Sequence, residues 1–347
     1  MTAVVRALFA LSCLASLCIS CAAEPVAELG EAAVATAIPA TSTPRPTPAA
    51  AASATAVPAT ASPACQLDGT LAETGATPGP MERLIAPQVV DLPQPYEPAA
   101  FREDPALGGA LQAALGDKAD SYAFVVKDLS SGWGASHNAD SIFYAASLYK
   151  LFVMYEILRQ ESLGLLQLTD EVTITSYYDS YGLGPRGTYL CQRLTLREAL
   201  VAMTSQSDNA AAVLLQDLAG SGNINKALAA LGLRQSRLLT DDLPVTATDI
   251  ALLLEMIGNG DAVSPDASED MMLLMQGEEF DNGLRAGLPA GVSAVHKTGN
   301  WSNATHDAGI VFAPMGAYLI VVLSSEEHET RVIKEISRLA YQHFAAQ

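Results

Sequence analysis

The sequence is poor in basic and in aromatic residues. It has 19 Lys and Arg against 38 Asp and Glu, which gives a formal net charge of −19, and 6% of its residues are aromatic. Nucleic-acid binding needs a positive field around the phosphates, so this balance excludes nucleic acid as an expected partner. The acidity favours solubility instead. The length of 347 residues is enough for one large or two ordinary domains. Half of the residues are apolar, so the chain can form a sizeable core.

Motifs for metal or nucleotide chemistry are also lacking. The histidines do not follow a ligand spacing, so we expect no metal and no other cofactor; they are His137, His296, His306, His328 and His343. G-x-S-x-G does not occur, which argues against an α/β-hydrolase nucleophile. Residues 182–187 match G-x-G-x-x-G but contain a proline and open no clear helix. A turn is therefore favoured there over a dinucleotide site.

The first 23 residues resemble an export leader. Arg6 is their only charge, and the apolar stretch over residues 7–19 is too short to span a membrane. Cys21 lies in a context that resembles a bacterial lipoprotein cleavage site, and ordinary cleavage after Ala23 is the alternative. We expect an exported, extracytoplasmic protein tethered to the membrane by a lipid on Cys21, or otherwise a secreted or periplasmic one.

An Ala/Thr/Pro-rich segment over residues 24–95 follows the leader. Its composition cannot bury enough apolar surface to fold, so we expect a disordered linker before a folded domain at residues 96–347. Outside the leader only Cys65 and Cys191 remain. In an oxidising compartment they are either a disulfide or two separate thiols. We expect a monomer.

Strand patterns cluster at both ends of the predicted domain, and helix patterns fill its middle. This favours an α/β (α+β) architecture in which terminal helices flank an antiparallel sheet and the central helices form an all-helical lobe. A cleft between the lobes is a usual place for a ligand. Helices are predicted at 104–117, 145–158, 194–204, 209–220, 223–233, 246–260, 267–277 and near 328–345, and strands within 121–140, 171–175, 291–299, 308–314 and 317–325.

The helix predicted at 145–158 is apolar almost all round but carries Ser147 and Lys150 at its start. A buried ammonium is costly, and its pKa should fall. A spacing of three places both side chains on one helical face. A neutral Lys150 could then take the proton of Ser147 and make it a nucleophile. A snorkelling lysine beside a capping serine is the alternative.

Two further triplets occur once each. Ser207–Asp208–Asn209 could simply cap the helix that follows. Lys297–Thr298–Gly299 could be a strand end with a solvated lysine and a turn glycine. Together, S-x-x-K, S-D-N and K-T-G in this order are the signature of penicillin-recognising serine enzymes. Residues 96–347 resemble class A β-lactamases and their serine-hydrolase relatives, which implies a two-lobed β-lactamase/transpeptidase-like fold.

The resemblance implies an acyl-serine mechanism. Ser147 would attack the acyl carbon, and Lys150 would accept its proton or assist electrostatically. Ser207 would pass a proton to the leaving nitrogen, and the charge of Lys297 near Ser207 would lower the cost of this catalytic relay. The backbone N–H groups of Ser147 and Asn300 would form the oxyanion hole.

The resemblance also implies a binding site for the substrate. Asn209 would hold the substrate's side-chain amide, and Lys297 and Thr298, followed by Gly299, would bind its carboxylate. The expected partner is a β-lactam or a peptidoglycan-like small molecule. Two departures predict modest affinity for penicillin: His296 stands where many class A enzymes have Asp, and no Arg occurs between Gly299 and Asp307.

The family's deacylation motif, E-x-x-L-N, does not occur in this sequence. Asp242 falls where the Glu would stand, but Asp is one methylene shorter, and a turn is the favoured interpretation of this stretch. Without a positioned base the acyl-enzyme should persist. We therefore expect a serine hydrolase with slow deacylation. The alternative is a penicillin-binding DD-peptidase or esterase, or a cell-wall sensor with little turnover.

Overall fold

The computed structural model of the protein describes residues 91–182, 187–239 and 242–347. The predicted leader, the linker up to residue 90, Cys65 and most of the glycine pattern at 182–187 lie outside these residues. The strands are β1 (Arg102–Glu103), β2 (Tyr122–Asp128), β3 (Trp133–His137), β4 (Phe143–Tyr144), β5 (Glu171–Thr173), β6 (Arg193–Thr195), β7 (Pro244–Val245), β8 (Ser293–Trp301), β9 (Ala304–Ala313) and β10 (Gly316–Ser324). The helices are α1 (Pro105–Leu115), α2 (Lys150–Ser162), α3 (Ser176–Asp179), α4 (Leu196–Ser205), α5 (Asn209–Ala219), α6 (Ser221–Leu231), α7 (Ala247–Asn259), α8 (Pro265–Gln276) and α9 (Arg331–Ala345).

A six-stranded sheet joins the two ends of the domain in the order β1-β3-β2-β10-β9-β8. Its pairs are antiparallel except β1 with β3. Successive residues of β10 alternate between two cores, as the pleat requires: Ile320 and Val322 pack on one face, and Leu319 and Val321 on the other. The register is thus fixed by burial on both faces.

The terminal helices cover one face of this sheet, and the central helices cover the other. Leu107 and Leu111 of α1 share a core with Ile333 and Ile336 of α9. The opposite face packs against the lobe built around α2, whose side chains are almost all buried. The two-lobed arrangement predicted from the sequence is confirmed. None of the helices in the described ranges combines the length and apolarity that a membrane crossing requires.

The segment before β1 runs along the helical lobe. Asp91 accepts a hydrogen bond from Arg159 through its carbonyl oxygen, so the last residues of the predicted linker contact α2. Further on, Lys127 donates to Glu255 at 2.6 Å and to the carbonyl oxygen of Ala99 at 2.7 Å. These bonds satisfy a lysine and a glutamate that are both buried, and they fasten the segment to the domain.

Cys191 lies in the loop between α3 and β6 and is disulfide-bonded. The other four cysteines of the chain all precede residue 91. The partner of Cys191 therefore lies outside the described residues.

Close packing of β8 on β9 can be tested at Gly309. A Cβ there would lie 2.3 Å from the Val295 carbonyl oxygen and 2.6 Å from the His296 Cβ. Gly309→Ala should lower the free energy of unfolding by about 1–3 kcal/mol through overpacking, measured by urea denaturation. Gly109→Ala is the control, because nothing lies within 4 Å of its added Cβ. In that helix the change should be neutral or stabilising by up to about 1 kcal/mol. Equal stability of both variants would contradict this view of the sheet.

Candidate active site

The predicted nucleophile lies in a 3₁₀ turn, Ala146–Tyr149, and not in the first turn of an α-helix. The α-helix α2 begins only at Lys150. Ala146, directly before Ser147, has a φ of 46°, which is rare for a residue with a side chain. Such backbone strain persists only where the surroundings impose it, and it is concentrated at functional sites. Ser147 itself is half-buried.

Contacts from both lobes hold the chain just before this turn. Ala145 donates its N–H to the Leu243 carbonyl oxygen at 2.7 Å. His306 donates from Nε2 to the Tyr144 carbonyl oxygen at 2.7 Å, while its Nδ1 accepts from the Ser324 N–H at 3.1 Å. Burial lowers the pKa of His306 to about 4. Its imidazole is therefore neutral near pH 7, and the two hydrogen bonds assign its tautomer.

Lys150 lies at the centre of the site and is fully buried. Its Nζ donates to the carbonyl oxygen of Ser207 at 2.6 Å, to the Ser207 Oγ at 3.2 Å and to the Asn209 Oδ1 at 2.8 Å. The S-x-x-K lysine and the S-D-N triplet, predicted to act together, are thus brought together by α2 and the junction of α4 with α5. Snorkelling to solvent does not describe this lysine.

The environment of Lys150 favours its neutral form. Burial lowers its pKa to about 7, and the positive charge of Lys297 acts in the same direction. Asp208 and Glu278 oppose this shift. The three acceptors that contact the amine are uncharged, so they satisfy its hydrogen bonds but supply no counter-charge for a buried ammonium. A large fraction of Lys150 is therefore deprotonated near neutral pH.

The S-D-N triplet owes its shape to a left-handed residue and a helix cap. Ser207 has a φ of 55°, which turns the chain sharply between α4 and α5 and exposes its carbonyl oxygen to Lys150. Asp208 is the N-cap of α5 and accepts from the Ala211 N–H at 2.7 Å. It also accepts from the N–H and Oγ1 of Thr188, at 2.8 and 3.0 Å. Asp208 thus has the capping role considered from the sequence, while its two neighbours in the triplet contact Lys150.

The K-T-G triplet lies within β8, on the edge of the sheet. Lys297 is fully buried there, so a solvated strand end does not describe it. A Cβ on Gly299 would meet the Ala145 carbonyl oxygen at 3.1 Å and the Leu148 Cγ at 3.3 Å. This glycine therefore lets β8 lie directly against the turn that carries Ser147. Thr298 is buried and Asn300 is exposed on the same strand.

Glu278, which the sequence analysis did not single out, forms a buried ion pair with Lys297. The ammonium of Lys297 contacts the Glu278 Oε2, and both side chains are fully buried. The same oxygen accepts from the Thr298 N–H at 3.2 Å. The other oxygen, Oε1, is buried with no hydrogen-bond partner among the described residues. Burial lowers the pKa of Lys297, and the negative charge of Glu278 opposes that shift.

His296, which precedes the triplet, belongs to a buried pair behind β8. Its Nδ1 lies 2.8 Å from the Asp307 Oδ1, and its Nε2 lies 3.3 Å from the Asp281 Oδ1. Burial works to lower the pKa of His296, but Asp307, together with Glu278 and Asp281, raises it above its ordinary value. Within the described ranges, no group of three or more His, Cys, Asp or Glu side chains could hold a metal ion.

Asp242 lies on the surface beside the nucleophile's segment. Pairing of β7 with β4 places Pro244 opposite Tyr144. Tyr144 lies shortly before Ser147 in the sequence. The Asp242 side chain is exposed, and its Oδ1 accepts from the Leu243 N–H at 2.9 Å. Its carbonyl oxygen accepts from the Leu239 N–H at 3.0 Å. These are the bonds of a turn, and a catalytic role for this carboxylate stays a prediction.

These side chains can carry out nucleophilic catalysis. A strained serine turn, a buried amine with a pKa near neutrality and a second serine on that amine are the parts that acyl transfer needs. With the two-lobed fold, they are the arrangement expected of a serine hydrolase of the penicillin-recognising type.

Comparison with known proteins identifies the family. The model of the beta-lactamase enzyme family matches residues 106–344. The chain belongs to this family. No curated protein sequence matches it significantly.

Solved structures confirm the fold. PBP-A is 22% identical with a TM-score of 0.67, over 72% of this chain and 100% of that one, and a mutant of PBP-A has been solved as an acyl-enzyme complex with penicillin G. A beta-lactamase from Sphaerobacter thermophilus DSM 20745 is 23% identical (TM-score 0.63), over 70% of this chain and 97% of that one. A beta-lactamase from Chitinophaga pinensis DSM 2588 is 25% identical (TM-score 0.60), over 70% and 97%.

Proposed function

We propose that this serine hydrolase opens β-lactam amides through an acyl-serine intermediate, in the manner of class A β-lactamases, and that it deacylates slowly. The observation that carries the proposal is the buried amine of Lys150, whose pKa is lowered to about 7 and which bonds only to uncharged acceptors of Ser207 and Asn209. Such an amine can accept a proton from a serine hydroxyl at neutral pH.

The acylation step follows from the order of the groups. The Ser147 hydroxyl gives its proton to neutral Lys150 as its oxygen bonds to the carbonyl carbon of the amide. The carbonyl oxygen becomes an anion, stabilised by the N–H groups of Ser147 and Asn300. The C–N bond then breaks, and the proton reaches the leaving nitrogen from Lys150 through the Ser207 hydroxyl. The 3.2 Å contact between Lys150 Nζ and Ser207 Oγ supports this relay.

Acylation should depend on Ser147 and on the protonation of Lys150. Benzylpenicillin should add its mass once per chain to the native protein and not to Ser147→Ala. The rate should fall about tenfold per pH unit below the pKa of about 7, because protonated Lys150 cannot accept the serine proton, and should level off above it. Intact-mass spectrometry over a pH series measures this. Labelling of Ser147→Ala, or a rate independent of pH from 5 to 8, would refute the proposal.

Slow deacylation is supported by the surroundings of Asp242. A base that activates water must reach a water molecule beside the acylated Ser147. The carboxylate of Asp242 is exposed and bonded to its neighbouring N–H. The position of this turn beside Tyr144 does not by itself orient the side chain toward the acyl group.

The deacylation rate should therefore not depend on Asp242. Asp242→Asn keeps an oxygen that can accept from the Leu243 N–H, so the half-life of the penicillin adduct should change by less than about twofold. A chromogenic cephalosporin gives the second readout: slow turnover supports the hydrolase, and a single equivalent released per chain supports a penicillin-binding protein or sensor. A large increase in adduct lifetime in Asp242→Asn would identify this residue as the base.

Export is the remaining part of the proposal, and residues 1–23 with Cys21 support it. The full chain, expressed in a bacterium, should appear in the membrane fraction and incorporate labelled fatty acid. Cys21→Ala should abolish the label. The variant should leave the membrane fraction if ordinary signal cleavage occurs, and stay in it if the signal is not cleaved. Fatty-acid labelling that survives Cys21→Ala would contradict lipidation at this residue.

A further inference from the structure

The cation that is expected to bind the substrate's carboxylate already has a carboxylate of the protein as its partner. Lys297 forms an ion pair with Glu278, and both side chains are fully buried. The Thr298 N–H, next along the same strand, donates to the same Glu278 oxygen at 3.2 Å. The two residues assigned to the substrate's anion are thus both bonded to Glu278.

The loop that carries Glu278 is held tightly in this position. The Glu279 N–H donates to the Ser205 carbonyl oxygen at 3.0 Å. A Cβ on Gly277 would lie 2.3 Å from the Ser205 Oγ, so a side chain here would require the Ser205 hydroxyl to move. The loop is therefore bound to the end of α4, two residues before Ser207.

Glu278 also acts on the other charged groups that surround it. Its negative charge opposes the lowering of the Lys150 pKa and contributes to the raised pKa of His296 on β8. It has no hydrogen-bond partner at Oε1 among the described residues. A substrate carboxylate placed near Lys297 would face an ion pair with little net charge. It would also lie close to the negative charge of Glu278. Like charges in a dry site repel strongly.

We propose that Glu278 determines substrate specificity by neutralising Lys297, so that the site prefers acyl donors that are uncharged where penicillin carries its carboxylate. This inference rests on the proposed acyl-serine function and specifies its substrate class. The lack of an arginine between Gly299 and Asp307 agrees with it, because no other cation on that stretch compensates for the neutralised lysine.

Benzylpenicillin and its methyl ester provide the test, because esterification removes this charge and adds only one methyl group. Adduct formation at Ser147 is followed by intact-mass spectrometry for both compounds, and the ratio of the two rate constants is the readout. The native protein should react with the ester at least as fast as with the acid. Glu278→Gln keeps an oxygen for Lys297 and Thr298 but removes the charge, so the ratio should shift toward the acid by about tenfold or more.

The matched control is Glu279→Gln, the same substitution on the exposed neighbour, which should leave the ratio unchanged. Slower reaction of Glu278→Gln with both compounds in equal proportion would assign Glu278 a structural role and overturn the proposal. A native protein that prefers the acid by about tenfold would overturn it even if Glu278→Gln does not fold. Failure of both compounds to label the native protein would refute the acyl-serine function itself, and this inference with it.

Discussion

The site depends on one buried amine that lacks an ionic partner. Buried Lys127, Arg159 and Lys297 each pair with a buried glutamate, namely Glu255, Glu156 and Glu278. Among the described residues, Lys150 is hydrogen-bonded only to neutral oxygens. Removing an ammonium from water without a counter-ion is costly, and the cheapest response is to lose the proton. The packing of α2 against α5 therefore stabilises a base.

The periodicity of the sequence was enough to predict the layered fold. The strands predicted within 308–314 and 317–325 correspond to β9 and β10, and the helix predicted at 194–204 corresponds to α4, which follows a Thr195–Glu198 capping box. The predicted helix at 145–158 was wrong in its first turn, which is 3₁₀. A residue with positive φ, Ala146, begins this turn, and local propensity does not reveal a conformation that tertiary contacts impose.

The site residues could be predicted because their motifs are short and follow one another in a known order. The charges that surround these residues could not be predicted from the sequence. Glu278 and Glu279 are chemically identical neighbours, and only the path of the loop decides which of them is buried. That path is held by the hydrogen bond from the Glu279 N–H to the carbonyl oxygen of Ser205, 74 residues earlier (279 − 205). Non-local contacts of this kind leave no periodic signal.

The neutral imidazole of His306 has a consequence for how the site responds to acid. This residue hydrogen-bonds to the carbonyl oxygen of Tyr144 and to the Ser324 N–H of β10. Because its pKa is lowered to about 4, both bonds persist until the solution is strongly acidic. The hydrogen bonds of His306 behind Ser147 thus persist at the pH at which Lys150 takes up a proton. The acylation proposed for Ser147 and the contacts that support its turn thus depend on different protonations, because Lys150 takes up a proton in mild acid in which His306 is still neutral.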